Sequence, residues 1–143
     1  MTCRTFTPDD RPALAAAFGE WILHTDVMHF DQDSHTVGAF EGDTPVGFIS
    51  VYPKKRFGGM EAYIDVIEVA ESRRRQGVAR TMLAMSADWA RARGCRRLRA
   101  WSTADKTEAI AMWRALGYRL RPVYARKRLT GYYVTKRLKG ERP

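Results

Sequence analysis

The stretch between Val69 and Ala79 carries the residues with the clearest chemical potential in the chain. A strand pattern precedes this stretch and a helical pattern follows it, so we expect a strand-to-helix turn. The unpaired N–H groups of a helix's first turn bind anions, and a glycine such as Gly77 lets a phosphate approach the backbone. Four guanidinium groups add neutralising charge: Arg73, Arg74, Arg75 and Arg80.

The common nucleotide-binding motifs do not occur in this turn. The sequence contains neither GxxxxGKS/T nor GxGxxG, so we expect neither a P-loop nor a dinucleotide-binding fold. The turn therefore indicates a phosphate-bearing ligand of another kind.

Charge is distributed unevenly along the chain. Residues 1–71 carry 5 basic and 12 acidic side chains, whereas residues 72–143 carry 20 basic and 4 acidic ones. A positive field of this size suits nucleic acid, an anionic membrane surface or a phosphorylated small molecule. Composition alone does not choose among these three.

Length and composition indicate one globular domain over residues 1–143, since the chain is 45% hydrophobic and long enough for its own core. Two cysteines without a CxxC pair or a His/Cys cluster predict neither a disulfide framework nor a metal site. The N-terminus lacks a signal-peptide pattern, and no run of 18 apolar residues occurs. We therefore expect a cytoplasmic protein with no metal and no membrane partner.

The first half of the chain reads as alternating elements. We expect these in order: a strand at 3–6, a helix at 8–18, a helical piece at about 20–30 with acids at Asp26, Asp31 and Asp33, a hairpin of strands 35–41 and 46–52, a basic loop at 54–59, and a strand at 60–69.

Alternation along the strand at 60–69 separates its side chains into two faces. Asp65 falls on one face with Tyr63, Ile67 and Val69, and it is the candidate general base; the alternative is a structural ion pair with an arginine. Glu68 ranks lower because parity points it to the other face, with Ala62, Ile64 and Val66. Glu61 ranks lower because it is farther from the strand end.

The second half continues the alternation. We expect these elements: a helix at 78–93 with Val78, Met82, Met85 and Trp89 inward, a strand at 97–101, a helix opened by a capping box of Asp105 and Glu108 and closed by Gly117, and strands at 118–128 and 132–138 around a turn at Thr130-Gly131.

The run Arg74-Arg75-Gln76-Gly77-Val78-Ala79 has the form R-x-x-G-x-A and begins five residues after Val69. It resembles the acyl-CoA signature of the GNAT superfamily of N-acetyltransferases. The segment 109–118, AIAMWRALGY, is similar to the family's late helix-to-strand passage. The resemblance implies an α/β (α+β) fold, a single domain whose mixed sheet of about seven strands has helices on both faces.

The resemblance also implies a site for acetyl-CoA. Its pantetheine arm would lie between the fourth and fifth strands, where backbone groups of Ile67 and Val69 meet its amides. Backbone N–H groups from Arg75 to Ala79 would hold the pyrophosphate. The implied cofactor-binding set is Ile67, Val69, Arg74, Arg75, Gln76, Gly77, Val78, Ala79, Arg80, Lys106 and Trp113.

The general acid is where the sequence departs from the family pattern. Trp113 replaces a tyrosine that many members use to protonate the leaving thiolate, and Lys106 stands where asparagine is frequent. An indole N–H cannot act as that acid near neutral pH, so Trp113 has two open roles, cofactor contact or core packing. Water or one of four hydroxyls could supply the proton: Ser102, Thr103, Tyr132 and Tyr133.

The implied reaction is direct acetyl transfer from acetyl-CoA to a primary amine in a ternary complex. Acids between Asp26 and Asp43 suit a cationic acceptor such as a polyamine, an aminoglycoside or a lysine side chain, and a peptide α-amine stays open. A small-molecule or peptide amine is favoured over nucleic acid, and a homodimer stays open.

Two alternatives remain. One is a basic nucleic-acid-binding module or an RNA-directed GNAT-like protein, for which Tyr132-Tyr133 could stack bases, although we expect packing in the closing strand. The other is a GNAT fold that binds CoA without turnover. The remaining reactive side chains carry no spacing typical of a site, and we expect ordinary structural or surface roles for them: His24, His29, His35 and Cys95.

Overall fold

The computed structural model describes residues 1–25, 28–29 and 33–138. These residues form one sheet of seven strands in the order β1-β2-β3-β4-β5-β7-β6. The strands are β1 Thr2–Thr5, β2 His35–Glu41, β3 Thr44–Arg56, β4 Gly59–Val69, β5 Arg97–Thr103, β6 Arg119–Ala125 and β7 Arg128–Arg137. The β4–β5 pair is parallel, and the other neighbouring pairs are antiparallel. The mixed α/β sheet expected from the sequence is confirmed.

Helices cover both faces of this sheet, as expected. They are α1 Arg11–Phe18, α2 Val78–Ala92 and α3 Thr107–Ala115, with short 3-10 turns at Pro8–Asp10, Glu20–His24 and Glu71–Arg73. One apolar cluster packs α2 and α3 against the sheet and includes Ile49, Ile64, Met82, Leu98 and Trp113. The other packs α1 and includes Phe6, Leu14, Ile22, Met28 and Phe48. We call these the α2 face and the α1 face.

The helix α2 forms because its apolar residues recur every three or four positions. Val78, Met82, Leu83 and Ala90 are buried, while Met85 and Trp89 lie at the edge of the same stripe. Gly94 follows the helix with φ of 73°, a left-handed conformation that favours glycine and ends the helix as expected.

Two local expectations are wrong. The basic loop at 54–59 is mostly strand, because β3 runs to Arg56 and a tight turn at Phe57-Gly58 leads into β4. The last hairpin turns at Arg126 and Lys127, with φ of 50° and 67°, so Thr130-Gly131 lies inside β7. Non-glycine residues in this conformation leave little signal in a sequence.

Two helical segments also differ from expectation. Asp105 accepts a hydrogen bond from Thr103, and Glu108 pairs with Arg74, so the capping box expected at α3 does not form. The helical piece expected at 20–30 is a 3-10 turn ending at His24. Its remainder lies partly outside the described residues, as do Asp26, Asp31 and the chain after Leu138.

A bulge in β4 overturns the predicted faces of this strand. Ser50 pairs with Val66 and the next residue, Val51, pairs with Ile64, so Asp65 is the extra residue in the ladder. The alternation therefore shifts by one position. Ala62 and Ile64 share the α2 face with Ile67 and Val69, and the α1 face holds Glu61, Tyr63, Asp65, Val66 and Glu68.

Candidate active site

The parallel strands β4 and β5 separate towards their carboxyl ends. Their ladder consists of Ala62 with Leu98 and Tyr63 with Arg99. Beyond these pairs, β4 stays bonded to β3 and β5 stays bonded to β7. The facing edges of the two strands thus hold backbone groups without a ladder partner, a gap that an extended amide-bearing chain can enter.

Hydrogen bonding at the end of β4 shows which residues face this gap. The N–H of Ala70 donates to the carbonyl of Val46 at 2.8 Å, so residue 70 is directed towards β3. Backbone groups of successive strand residues point to opposite sides. Ile67 and Val69 therefore direct their N–H and C=O groups towards β5, as the pantetheine interpretation requires.

The turn after β4 exposes the start of α2. Gly77 precedes the helix in the left-handed conformation, with φ of 83° and ψ of 7°, and no side chain caps the helix start. A Cβ at this position would meet no atom within 4 Å. The glycine is thus required by backbone conformation, and the N–H groups of the first turn lie uncapped by any side chain at the positive end of the helix. We call residues 75–80 the cradle.

The arginines around the cradle have different partners. Arg74 donates to Glu108 at 2.8 Å and to the carbonyl of Val69 at 3.4 Å, which links the turn to α3. Arg73 lies 3.7 Å from Glu41. Arg75 and Arg80 are exposed beside the helix start. The last two are best placed to neutralise a bound anion.

Asp65 lies on the α1 face beside an imidazole. His29 Nε2 is 2.6 Å from Asp65 Oδ2, and the His29 ring lies against Tyr52 with ring centroids 4.3 Å apart. The Asp65 side chain keeps 26% of its surface exposed. The arginine ion pair considered as its alternative role is found instead at Glu61. His29 was not singled out by the sequence, because its contact depends on the bulge.

Glu68 joins Asp65 on the same face, against the sequence-based prediction. Burial raises the pKa of the Glu68 carboxyl, while the positive charges of Arg74 and Lys106 partly oppose that rise. The end of β4 therefore presents two carboxylates on one side and backbone groups at the gap.

Comparison with known proteins decides the family. Residues 2–118 match the sequence model of the Acetyltransferase (GNAT) family. The chain belongs to the GNAT acetyltransferase family. Among curated proteins, no sequence matched it.

Solved structures of GNAT proteins show the same fold. Naa20 of Chaetomium thermophilum, solved with a bisubstrate analogue, has TM-score 0.76 at 20% identity. The match covers 96% of this chain and 87% of the Naa20 chain. An aminoglycoside 6'-N-acetyltransferase complexed with coenzyme A has TM-score 0.76 at 14% identity, and the match covers 100% of this chain and 99% of the aminoglycoside acetyltransferase chain. The ribosomal-protein-alanine N-acetyltransferase of Brucella melitensis has TM-score 0.69 at 23% identity, and the match covers 96% of this chain and 100% of the Brucella chain.

The structure places the Trp113 ring in the core. Its side chain is 3% exposed in the core cluster of the α2 face and lies against Tyr118 with ring centroids 4.8 Å apart. Trp113 therefore packs in the core, and its contact with the cofactor stays a prediction. Lys106, in contrast, is exposed at the start of α3.

The hydroxyls considered as general acids do not converge on one position. Ser102 is buried and donates to the carbonyl of Thr103, Tyr132 packs against the core, and Tyr133 is exposed beside Trp101. None of these contacts aims a hydroxyl at the end of β4, so we assign no general acid from this group.

A buried carboxylate lies at the other end of β4. Glu61 is 1% exposed, with Arg99 at 2.9 Å, Arg97 at 3.3 Å, Arg56 at 3.6 Å and Arg96 at 3.7 Å. Four guanidinium groups thus lie within 4 Å of this acid, while its buried Oε2 atom has no hydrogen-bond partner within the described part of the chain, and we interpret Glu61 as a structural residue. Among the described residues, no group of three or more metal-ligating side chains occurs, and no helix is long and apolar enough to span a bilayer.

Proposed function

We propose that the protein is an acetyl-CoA-dependent N-acetyltransferase that acetylates a primary amine by direct attack in a ternary complex. One observation carries the proposal: the gap between β4 and β5 leads directly to the uncapped start of α2. A ligand with an amide-bearing arm and a pyrophosphate has complementary groups at both places.

The residues present fit acetyl-CoA. Backbone groups of Ile67 and Val69 would pair with the pantetheine amides, and the N–H groups of 75–79 would hold the pyrophosphate. The side chains of Arg75 and Arg80 supply charge from one side of the cradle. Lys106 lies across the gap, where its charge is felt at Glu68. When bound, the thioester supplies an acetyl group that an amine can attack.

A carboxylate on the α1 face takes the proton in this proposal. A lysine-type amine has a pKa of about 10.4, so it must lose a proton before it can attack. We assign this role to Asp65, directly or through an ordered water, with His29 fixing its orientation. Glu68 is a second candidate because its raised pKa and its position near the strand end suit proton uptake.

The remaining steps need few side chains. As the nitrogen–carbon bond forms, the carbonyl oxygen gains charge, and a backbone N–H near Val69 is placed to stabilise it. The carbon–sulfur bond then breaks, and the thiolate takes a proton from solvent water. Because water supplies this proton, the proposed reaction does not need the tyrosine that many family members carry where this chain has Trp113.

The acceptor is proposed to be a cationic amine. Two half-buried carboxylates on one face, Asp65 and Glu68, attract a protonated amine before its deprotonation. Proteins with the same fold include an aminoglycoside 6'-N-acetyltransferase and a ribosomal-protein-alanine N-acetyltransferase, both of which act on amines. The free thiols of Cys3 and Cys95 suit a reducing compartment, so we propose a cytoplasmic enzyme.

A thiol-release assay with acetyl-CoA and an amine panel tests the proposal. The panel contains a polyamine, an aminoglycoside, a lysine peptide and a peptide with a free α-amine. We expect amine-dependent thiol release with at least one cationic acceptor and a matching mass increase of one acetyl group. Binding of acetyl-CoA without release for any amine would contradict turnover and leave the non-catalytic alternative.

A further inference from the structure

One face of the carboxyl-terminal half of the sheet is exposed. The strand register places nine side chains on it, opposite the α2 face: Arg97, Arg99 and Trp101 of β5, Tyr133, Thr135 and Arg137 of β7, and Arg119, Arg121 and Val123 of β6. We call these nine residues the open face. Neighbouring positions such as Leu98 and Val134 belong to the buried cluster under the helices.

The open face is strongly basic. Five of its nine residues are arginines and none is acidic. Glu61 of β4, on the same side of the sheet, pairs with Arg99 and Arg97 and is itself almost completely buried. One buried carboxylate cannot neutralise this group, so the open face retains a large positive charge that favours an anionic partner.

Exposed aromatic rings lie within this charge. Trp101 and Tyr133 are paired across β5 and β7, are 38% and 36% exposed, and have ring centroids 5.2 Å apart. The guanidinium of Arg99 lies 5.5 Å from the centre of the Tyr133 ring. A Cβ at position 131 would collide with the carbonyl oxygen of Ser102 and come within 2.6 Å of the Trp101 ring, so Gly131 leaves room for both.

We propose that the open face binds single-stranded nucleic acid. Bases would stack on Trp101 and Tyr133, and phosphates would pair with the surrounding arginines. Base stacking on aromatic side chains of a sheet, with arginines tracking the backbone, is a common mode of single-strand recognition. An acidic polypeptide would also match the charge, but it would give no reason for two exposed rings beside a glycine.

This inference goes beyond the proposed acetyl transfer. The open face uses side chains of β5, β6 and β7, whereas acetyl-CoA is proposed to use the backbone at the cradle. The two ligands should therefore bind the protein together. The family resemblance favoured a small amine over nucleic acid, and the arrangement of the two rings is an observation that the sequence could not supply.

Fluorescence anisotropy with a labelled 12-nucleotide oligouridine RNA tests the proposal on the full chain. We expect saturable binding that weakens as salt rises. The double variant Trp101→Ala/Tyr133→Ala keeps the net charge, so non-specific attraction stays constant. Its affinity should fall roughly tenfold or more, since stacking contributes about 1–3 kcal/mol per base. The single variant Trp101→Phe retains a ring at this position and should therefore keep most of the original affinity.

Charge variants test the phosphate contacts. Arg119→Gln/Arg121→Gln should reduce the slope of log affinity against log salt by roughly 1.4, because each single-strand phosphate contact contributes about 0.7. Arg91→Gln/Arg114→Gln is the matched control, since both residues lie on helices of the α2 side. That control should change the slope by less than half as much.

Two outcomes would overturn the inference. Unchanged affinity in the folded double ring variant would show that the rings do not stack bases; poly-glutamate binding of equal strength would then identify an acidic-polypeptide surface. Displacement of the RNA by saturating acetyl-CoA would place the RNA in the cradle. Calorimetric titration with acetyl-CoA alone keeps the two proposals separate, because the ring variants should bind it normally.

Discussion

The cradle and the carboxylate face of β4 lie at the same gap, yet they are built differently. The cradle presents backbone N–H groups, positioned by Gly77 and the start of α2. The carboxylate face presents side chains, Asp65 and Glu68, positioned by a bulge and by contact with His29. A backbone-built site should tolerate loss of a single arginine, whereas a side-chain-built site should fail when one carboxylate is removed.

The largest effect is expected on the carboxylate face. Asp65→Asn should lower kcat/KM at least about 100-fold, the usual contribution of a general base, with little change in acetyl-CoA affinity. Steady-state kinetics over pH 6–9 with the preferred amine measure it. Glu68→Gln is the comparison variant, and it should lose less than about tenfold. A reversed order would transfer the proton-accepting role to Glu68.

A smaller effect is expected at Glu61, which lies on the same face but is enclosed by arginines. Glu61→Gln should lower the free energy of unfolding by about 2 kcal/mol, because it leaves several guanidinium groups close together without their buried counter-charge. Urea unfolding gives the value. Glu41→Gln, which removes an exposed partner of Arg73, is the control and should cost less than about 0.5 kcal/mol. Equal losses would contradict the structural role of Glu61.

The α2 face offers a pH test that separates folding from catalysis. Burial, with the nearby charge of Arg93, lowers the pKa of His35 to about 4, and His35 Nδ1 lies 2.9 Å from Ser86 Oγ. In the unfolded state this side chain takes up a proton near pH 6.5. The contribution of His35 to the free energy of unfolding is therefore fully present above that pH and is lost as the pH falls towards 4. Allowing for partial exposure, we expect a loss of about 2 kcal/mol.

Urea unfolding at pH 7.5 and pH 4.5 measures this loss, and His35→Gln should remove most of it because a carboxamide does not titrate. Activity of that variant at pH 7.5 should stay within about twofold of the original, since residue 35 does not touch the gap. An unchanged pH dependence of stability in His35→Gln would contradict the assignment.

The smallest effect is expected at Arg74. Its guanidinium is engaged by Glu108 and the Val69 carbonyl, so Arg74→Gln should change acetyl-CoA affinity by less than about threefold. The same change at Arg75, which is exposed beside the cradle, should cost more. Calorimetric titration of the two variants checks the order. A greater loss at Arg74 would mean that its side chain binds the cofactor directly.

The strand-to-helix turn that holds the cradle could be predicted from the sequence because its determinants are local. A strand pattern, a left-handed glycine and an amphipathic helix follow one another within about 20 residues, and each has its own signal. The succession of strands and helices along the chain followed from the same alternation, and the mixed sheet with helices on both faces followed from the family resemblance.

The carboxylate face could not be predicted in the same way. The face on which each β4 side chain lies depends on how β3 pairs with β4. The single extra residue Asp65 moves every side chain that follows it in β4 to the opposite face from the one predicted. The contact with His29 is 36 residues distant in sequence and has no motif. Trp113 shows the same limit, because an apolar ring on a helix fits a core or a ligand equally well until its neighbours are known.

The most direct test of the cradle is a calorimetric titration of acetyl-CoA against the original protein, Gly77→Asn and Gly77→Asp. Asparagine tolerates the left-handed conformation and adds no charge, whereas aspartate of similar size brings a negative charge to the proposed pyrophosphate site. We predict binding by the original protein, a modest loss in Gly77→Asn and a loss of about 30-fold or more in Gly77→Asp. Equal affinity in the two variants would contradict a pyrophosphate bound at residue 77.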